Sequence, residues 1–161
     1  MAYVRAKKSR NKKTGAEYEY FQLVESRWED GKPRQKVLMH LGSHPTPDAL
    51  YAALEAEADL LAEEHNELLR QRKNLKRRLG KTVARLEESE ESGEAPTREQ
   101  IREVRTLQER LWSLGDEIEK KGRRYDDTKA RQETVYPYLS DERKESIERQ
   151  REVQRRLGLV P

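Results

Sequence analysis

The chain contains no cysteine, which excludes disulfides and thiolate zinc sites. It has a single phenylalanine, and aromatic residues make up only 6% of it. With 33% apolar residues it cannot build a broad core. That content does suffice for one small sheet and a seam of two apolar residues per heptad. No run approaches the roughly 20 apolar residues of a membrane span, and Met1 to Arg10 lacks the apolar centre of a signal peptide. The expectation is a cytoplasmic protein without a membrane partner.

Charge is what the chain has in quantity: 40% of residues are Asp, Glu, Lys or Arg. Such a load can leave a chain disordered. Here the apolar residues keep steps of three and four over long stretches, which argues for helices instead. A first seam runs Leu50, Leu54, Ala58, Leu61, His65, Leu68, Arg72, Leu75, Leu79, Val83, Leu86. A second runs Ile101, Val104, Leu107, Leu111, Leu114, Ile118, Tyr125, with weaker positions at Thr128 and Gln132. Between them lies an acidic stretch from Glu87 to Glu94, broken by Gly93 and Pro96.

The two seams match as an antiparallel pair. Leu79 and Leu107, Leu75 and Leu111, Leu68 and Ile118, and Leu61 and Tyr125 are each symmetric about Gly93. The acidic segment Glu63–Glu67 then faces the basic segment Lys120–Arg124, an arrangement by which flanking charges set helix orientation. Thr46-Pro47-Asp48 carries the signals of a helix start, and Thr97 with Gln100 fits a capping box. After Tyr136-Pro137-Tyr138, Ser140 begins another helix to about Leu157, with a sparse stripe of Ile147, Val153 and Leu157. The last residues, through Pro161, form a short apolar tail.

Ahead of the helices, Ala2 to Leu41 reads as a three-stranded meander. Its strands are expected at Tyr3–Lys7, Tyr18–Trp28 and Arg34–Leu41. A basic turn spans Ser9–Gly15, and Asp30-Gly31 is a hairpin turn. So small a sheet needs a partner. It is expected to pack one face on Leu50, Tyr51 and Leu54.

Tyr20-Phe21-Gln22-Leu23-Val24-Glu25-Ser26, Gly31-Lys32, Arg34-Gln35-Lys36-Val37-Leu38 and Leu41-Gly42 form a pattern that resembles the N-terminal segment of IS4/IS1634-type transposases. The resemblance covers residues 3–42. In that family the segment precedes a nuclease core with three metal-binding carboxylates. Beyond Gly42 this chain shows no alternation of strands and helices, so the resemblance implies a nucleic-acid-facing or mobile-element role and not transposition chemistry.

Residues 1–45 hold ten Lys and Arg against five Asp and Glu, so a polyanion is to be sought there. The candidate nucleic-acid contacts are Arg5, Lys7, Lys8, Arg10, Lys12, Lys13, Arg27, Lys32, Arg34 and Lys36, with Tyr18, Tyr20 and Trp28 placed to stack. A second basic run, Arg70 to Arg78, adds Arg70, Lys73 and Arg77. Glu109, Asp116 and Glu117 can neutralise only part of it across the hairpin. The bland alternatives are edge-protecting lysines and a solvated helix face. His40 and His44 have ligand-like spacing, but no third ligand adjoins, and no metal site or cofactor is expected. No nucleophile–base pairing or phosphate loop appears, so no enzyme is expected.

The expected architecture is α+β, mostly α. A basic meander (1–45) precedes an antiparallel helical hairpin of coiled-coil type (46–136, tip near 87–97) and a C-terminal helix and tail (137–161). The expected function is a non-catalytic accessory protein that binds DNA or RNA through the N-terminal sheet. The alternative is a coiled-coil module docking on a larger machine such as RNA polymerase, a nuclease complex or the ribosome. The same seam would also permit a homodimer.

Overall fold

A computed structural model describes residues 2–158. Leu159, Val160 and Pro161 of the apolar tail lie outside the described residues. The order is β1 (Ala2–Arg10), β2 (Glu17–Glu29), β3 (Lys32–Gly42), α1 (Pro47–Glu91), α2 (Arg98–Val135), a 3-10 turn (Tyr136–Tyr138) and α3 (Asp141–Arg156). The chain is thus α+β and mostly α, with an N-terminal three-stranded antiparallel sheet in the order β1-β2-β3. Among the described residues no helix is long and apolar enough to cross a membrane. Packing divides the chain into two compact units, Met1–Ala56 with Ala130–Pro161, and Glu57–Lys129.

In the first unit the strands are longer than their apolar pattern. β1 continues through Lys8, Ser9 and Arg10, which pair with Glu19, Tyr18 and Glu17. Ladder bonds with β2 extend these polar residues despite their low strand preference. β3 likewise begins at Lys32 and includes Pro33, tolerated because β3 is an edge strand. Asp30 (φ +53°) and Gly31 (φ +72°) both adopt the left-handed backbone of a tight hairpin turn. Two register shifts bend β3 against β2, one between Phe21 and Gln22 and one between Leu23 and Val24.

The core of this unit joins Leu23 and Leu41 of the sheet to Leu50, Tyr51 and Leu54 of α1, Val135 of α2, Leu139, and Ile147 of α3. Val4, Phe21 and Met39 border it. Of the α3 stripe only Ile147 is buried; Val153 and Leu157 are 56% and 67% exposed. The helix is anchored through Ile147 and the residues just after it. Tyr136 donates from its hydroxyl to Glu148 at 2.9 Å, Arg151 donates to the same carboxylate at 3.0 Å, and the Arg151 guanidinium lies over the Tyr136 ring.

In the second unit α1 and α2 run antiparallel. Glu64 pairs with Lys121, Arg124 lies 3.5 Å from Glu57, and His65 packs over Gly122. Acidic and basic segments therefore meet as their order predicts. The seam positions of α1 from Ala58 to Leu86 are all buried or half-buried. On α2, Leu107, Leu114 and Thr128 are buried, whereas Ile101 is 47% exposed. The seam loosens near the turn, where Ile101 is open and Thr82 is buried.

The helix ends are chemically closed. Thr46 Oγ1 accepts from Ala49 N (3.1 Å), and Thr97 with Gln100 makes the reciprocal capping box. At the tip, Gly93 has φ +81°; Glu94 N donates to Ser89 O and Gly93 N to Glu90 O, the paired bonds of a Schellman end.

Candidate nucleic-acid interface

Strand alternation sorts the sheet into two unlike faces. Val4 and Leu23 mark the core face, so the even positions of β1 and the odd positions of β2 share it. Every carboxylate of β2 is odd-numbered: Glu17, Glu19, Glu25 and Glu29. The outer face receives Tyr3, Arg5, Lys7 and Ser9 from β1 and Tyr18, Tyr20, Gln22, Val24, Ser26 and Trp28 from β2. β3 adds Gln35, Val37 and His40 through its pairing with β2, and no carboxylate. Among the described residues the strands therefore place no acid on the outer face. Its aromatic residues are open to solvent, Trp28 at 77% and Tyr18 at 53%, and the Tyr18 and Tyr20 rings lie 6.2 Å apart.

One end of that face is occupied by a polar network. Arg5 donates to Gln22 Oε1 at 2.8 Å and to Gln35 Oε1 at 2.5 Å, and Gln35 donates to the Tyr3 hydroxyl. Because guanidinium only donates, the Gln22 amide must turn its NH2 toward His40 Nδ1 at 3.2 Å, which accepts. Gln35 lies on β3 and Tyr3 on β1, so their bond passes over the middle strand; Val24 beneath is fully buried. Arg5 is thus committed to the sheet, and the His40 side chain with it. Neither Gln22 nor Gln35 is an obvious partner in the sequence, because their pairing depends on the β3 register.

The other end is where the cations stay open. The turn between β1 and β2 is built from its own bonds. Asn11 Oδ1 accepts from Lys13 N at 2.9 Å, Gly15 N donates to Asn11 O at 2.8 Å, and Asn11 N donates to Ala16 O at 2.8 Å. Arg10 closes it by donating from Nε to Gly15 O at 3.0 Å. Lys12 and Lys13 extend from this fixed turn without an ion-pair partner among the described residues, as do Lys7 and Lys8. Arg27 pairs with Glu25, and Arg34 lies 4.0 Å from Asp30. Lys32 and Lys36 are exposed and likewise unpaired among the described residues.

The structure thus separates the ten N-terminal candidates. Arg5 and Arg27 bond within the sheet and Arg10 and Arg34 toward its turns; Lys7 lies on the outer face and Lys12 and Lys13 on the turn, whereas Lys8 shares the opposite face with Glu19. The three helical candidates belong to the other unit. Arg70 sits 3.6 Å from Glu67, and Lys73 and Arg77 are exposed. Among the described residues, none of Glu109, Asp116 or Glu117 forms an ion pair with the run, so the neutralisation expected across the hairpin is not made.

Comparison with curated proteins and with solved structures gives no match. One protein family does match, and it takes in more than the sequence pattern that ends at Gly42: it covers the sheet and the part of α1 that supplies Leu50, Tyr51 and Leu54 to its core. Over residues 6–79, a little under half of the chain, the protein is similar to the family described as IS1634 family transposase, N-terminal domain.

Proposed function

We propose that this chain is a non-catalytic, mobile-element-associated accessory protein that binds nucleic acid through the outer face of its N-terminal sheet. The observation that carries this reading is that the strands place no carboxylate on that face. All four carboxylates of β2 lie on the core face, while the opposite face joins Lys7 and the Lys12–Lys13 turn to the rings of Tyr18 and Tyr20. Phosphates are held by the lysines, and the rings lie against sugar or base. The preformed turn lowers the ordering cost of binding, because Lys12 and Lys13 are carried by backbone already fixed by hydrogen bonds. Similarity of residues 6–79 to a transposase N-terminal domain supports the mobile-element context.

The test is binding of labelled duplex DNA and RNA across a salt series. Replacing Lys7, Lys12 and Lys13 by Ala leaves up to three phosphates without a cation. The slope of log affinity against log salt should then become shallower by about 0.9 per phosphate on a duplex. An unchanged slope, with the fold intact by circular dichroism, overturns the reading.

A further inference from the structure

Trp112 is 81% exposed on α2, although its neighbour Leu111 belongs to the seam. One step of the helix turns a side chain by about 100°, so the indole cannot share the inward stripe. Facing it on α1 are Arg72 and Lys76. These two residues line two depressions at once: one with Leu69 and Lys73, the other with Leu111, Trp112, Gly115 and Asp116. The two depressions therefore adjoin at Arg72 and Lys76, with Leu69, itself 40% exposed, at the far margin of one and the indole at the margin of the other.

A single exposed apolar side chain is ordinary on any surface. This one has unusual company. Arg72, Lys73 and Lys76 form no ion pair among the described residues, and Asp116 at the margin is not within bonding distance of them. Cations lie over the rings of Tyr51, Tyr125 and Tyr136, but among the described residues none lies over Trp112. Beside the indole, Gly115 presents open space, since a Cβ there would meet nothing within 4 Å. A flat ring with open faces, bordered by unpaired cations, matches the alternation of base and phosphate in an unpaired strand. A duplex keeps its base faces stacked inside and cannot use the ring.

We infer that the Trp112 surface of the helical hairpin is a second, separate site for single-stranded nucleic acid, with a base stacked on the indole and phosphates held by Arg72, Lys73 and Lys76. It stands independently of the sheet, because no residue is shared.

The full chain carrying Trp28→Phe has Trp112 as its only indole. Titration with an oligothymidylate of roughly twelve nucleotides, within the range of known single-strand sites, should quench its fluorescence to saturation. An abasic strand of equal length should quench far less. On the otherwise native chain, Trp112→Ala should weaken a labelled strand roughly tenfold, and Arg72→Ala with Lys76→Ala should flatten the salt dependence. Replacing Lys12 and Lys13 by Ala should leave the Trp112 signal unchanged, which separates this site from the sheet. Equal quenching by the abasic strand, or no quenching, overturns the inference. So does sedimentation showing that Trp112 is instead covered by a second copy of the chain.

Discussion

The carboxylate of Asp48 accepts both the N–H of Ser140 at 3.0 Å and its hydroxyl at 2.5 Å. Asp48 lies in the first turn of α1, and Ser140 is the N-cap of α3, where its hydroxyl accepts from Arg143 N. One carboxylate therefore serves the positive ends of two helices that are distant in sequence. Asp48→Ala should cost about 1–2 kcal/mol in urea unfolding, since Asp48 is half-buried, Ser140 is exposed and the bonds are charge-assisted. Ser140→Ala should cost about 1 kcal/mol. The double variant should lose less than the sum, and additive losses would refute the link.

The Tyr136–Glu148–Arg151 cluster makes the stability of the same unit pH-dependent. The Tyr136 hydroxyl, and after it Arg151, hold the Glu148 carboxyl below its ordinary value of 4.5. A depressed carboxylate stabilises the fold above the unfolded value and stops doing so as pH falls through the folded one. Tyr136 is raised above 10.0, chiefly by its bond to Glu148, and Tyr51 is raised chiefly by burial and then by Glu55. Their contributions are full below 10.0 and fade as pH rises through the folded values. Tyr136→Phe should shrink both the acid-side and the alkaline-side loss of stability, measured as urea midpoints across pH.

Seam positions should differ in cost according to burial. Leu114 is 5% exposed, and Leu114→Ala should cost about 2–4 kcal/mol by leaving a cavity between the helices. Ile101, at 47% exposure, should cost about 1 kcal/mol or less when changed to Ala. Thermal unfolding of the pair checks this, and equal losses would show that the seam is as tight at the tip as at its middle.

Two glycines should respond in opposite directions. Gly80 lies within α1, and a Cβ there meets nothing, so Gly80→Ala should stabilise by about 0.5–1 kcal/mol. Gly93 sits at φ +81° in the helix end, and Gly93→Ala should destabilise by about 1–2 kcal/mol. Circular dichroism melts distinguish the two.

Much of this molecule is written in local signals. The three-four spacing of the seams, the caps at Thr46, Thr97 and Ser140, the Asp30-Gly31 turn and the antiparallel match about Gly93 all read directly from the chain. Each depends on neighbours within a turn or on a repeat along one helix. Chain order alone left open which charges are already spoken for. Arg5 and Lys7 look equivalent in sequence, yet the register of β3 places Gln35 beside Arg5 and leaves Lys7 open. Trp112 falls off the three-four stripe one step from Leu111, but only the pairing of α1 with α2 sets it beside Arg72 and Lys76. Local patterns follow from backbone geometry within a few residues, whereas the partners of a side chain are set by elements far apart in sequence.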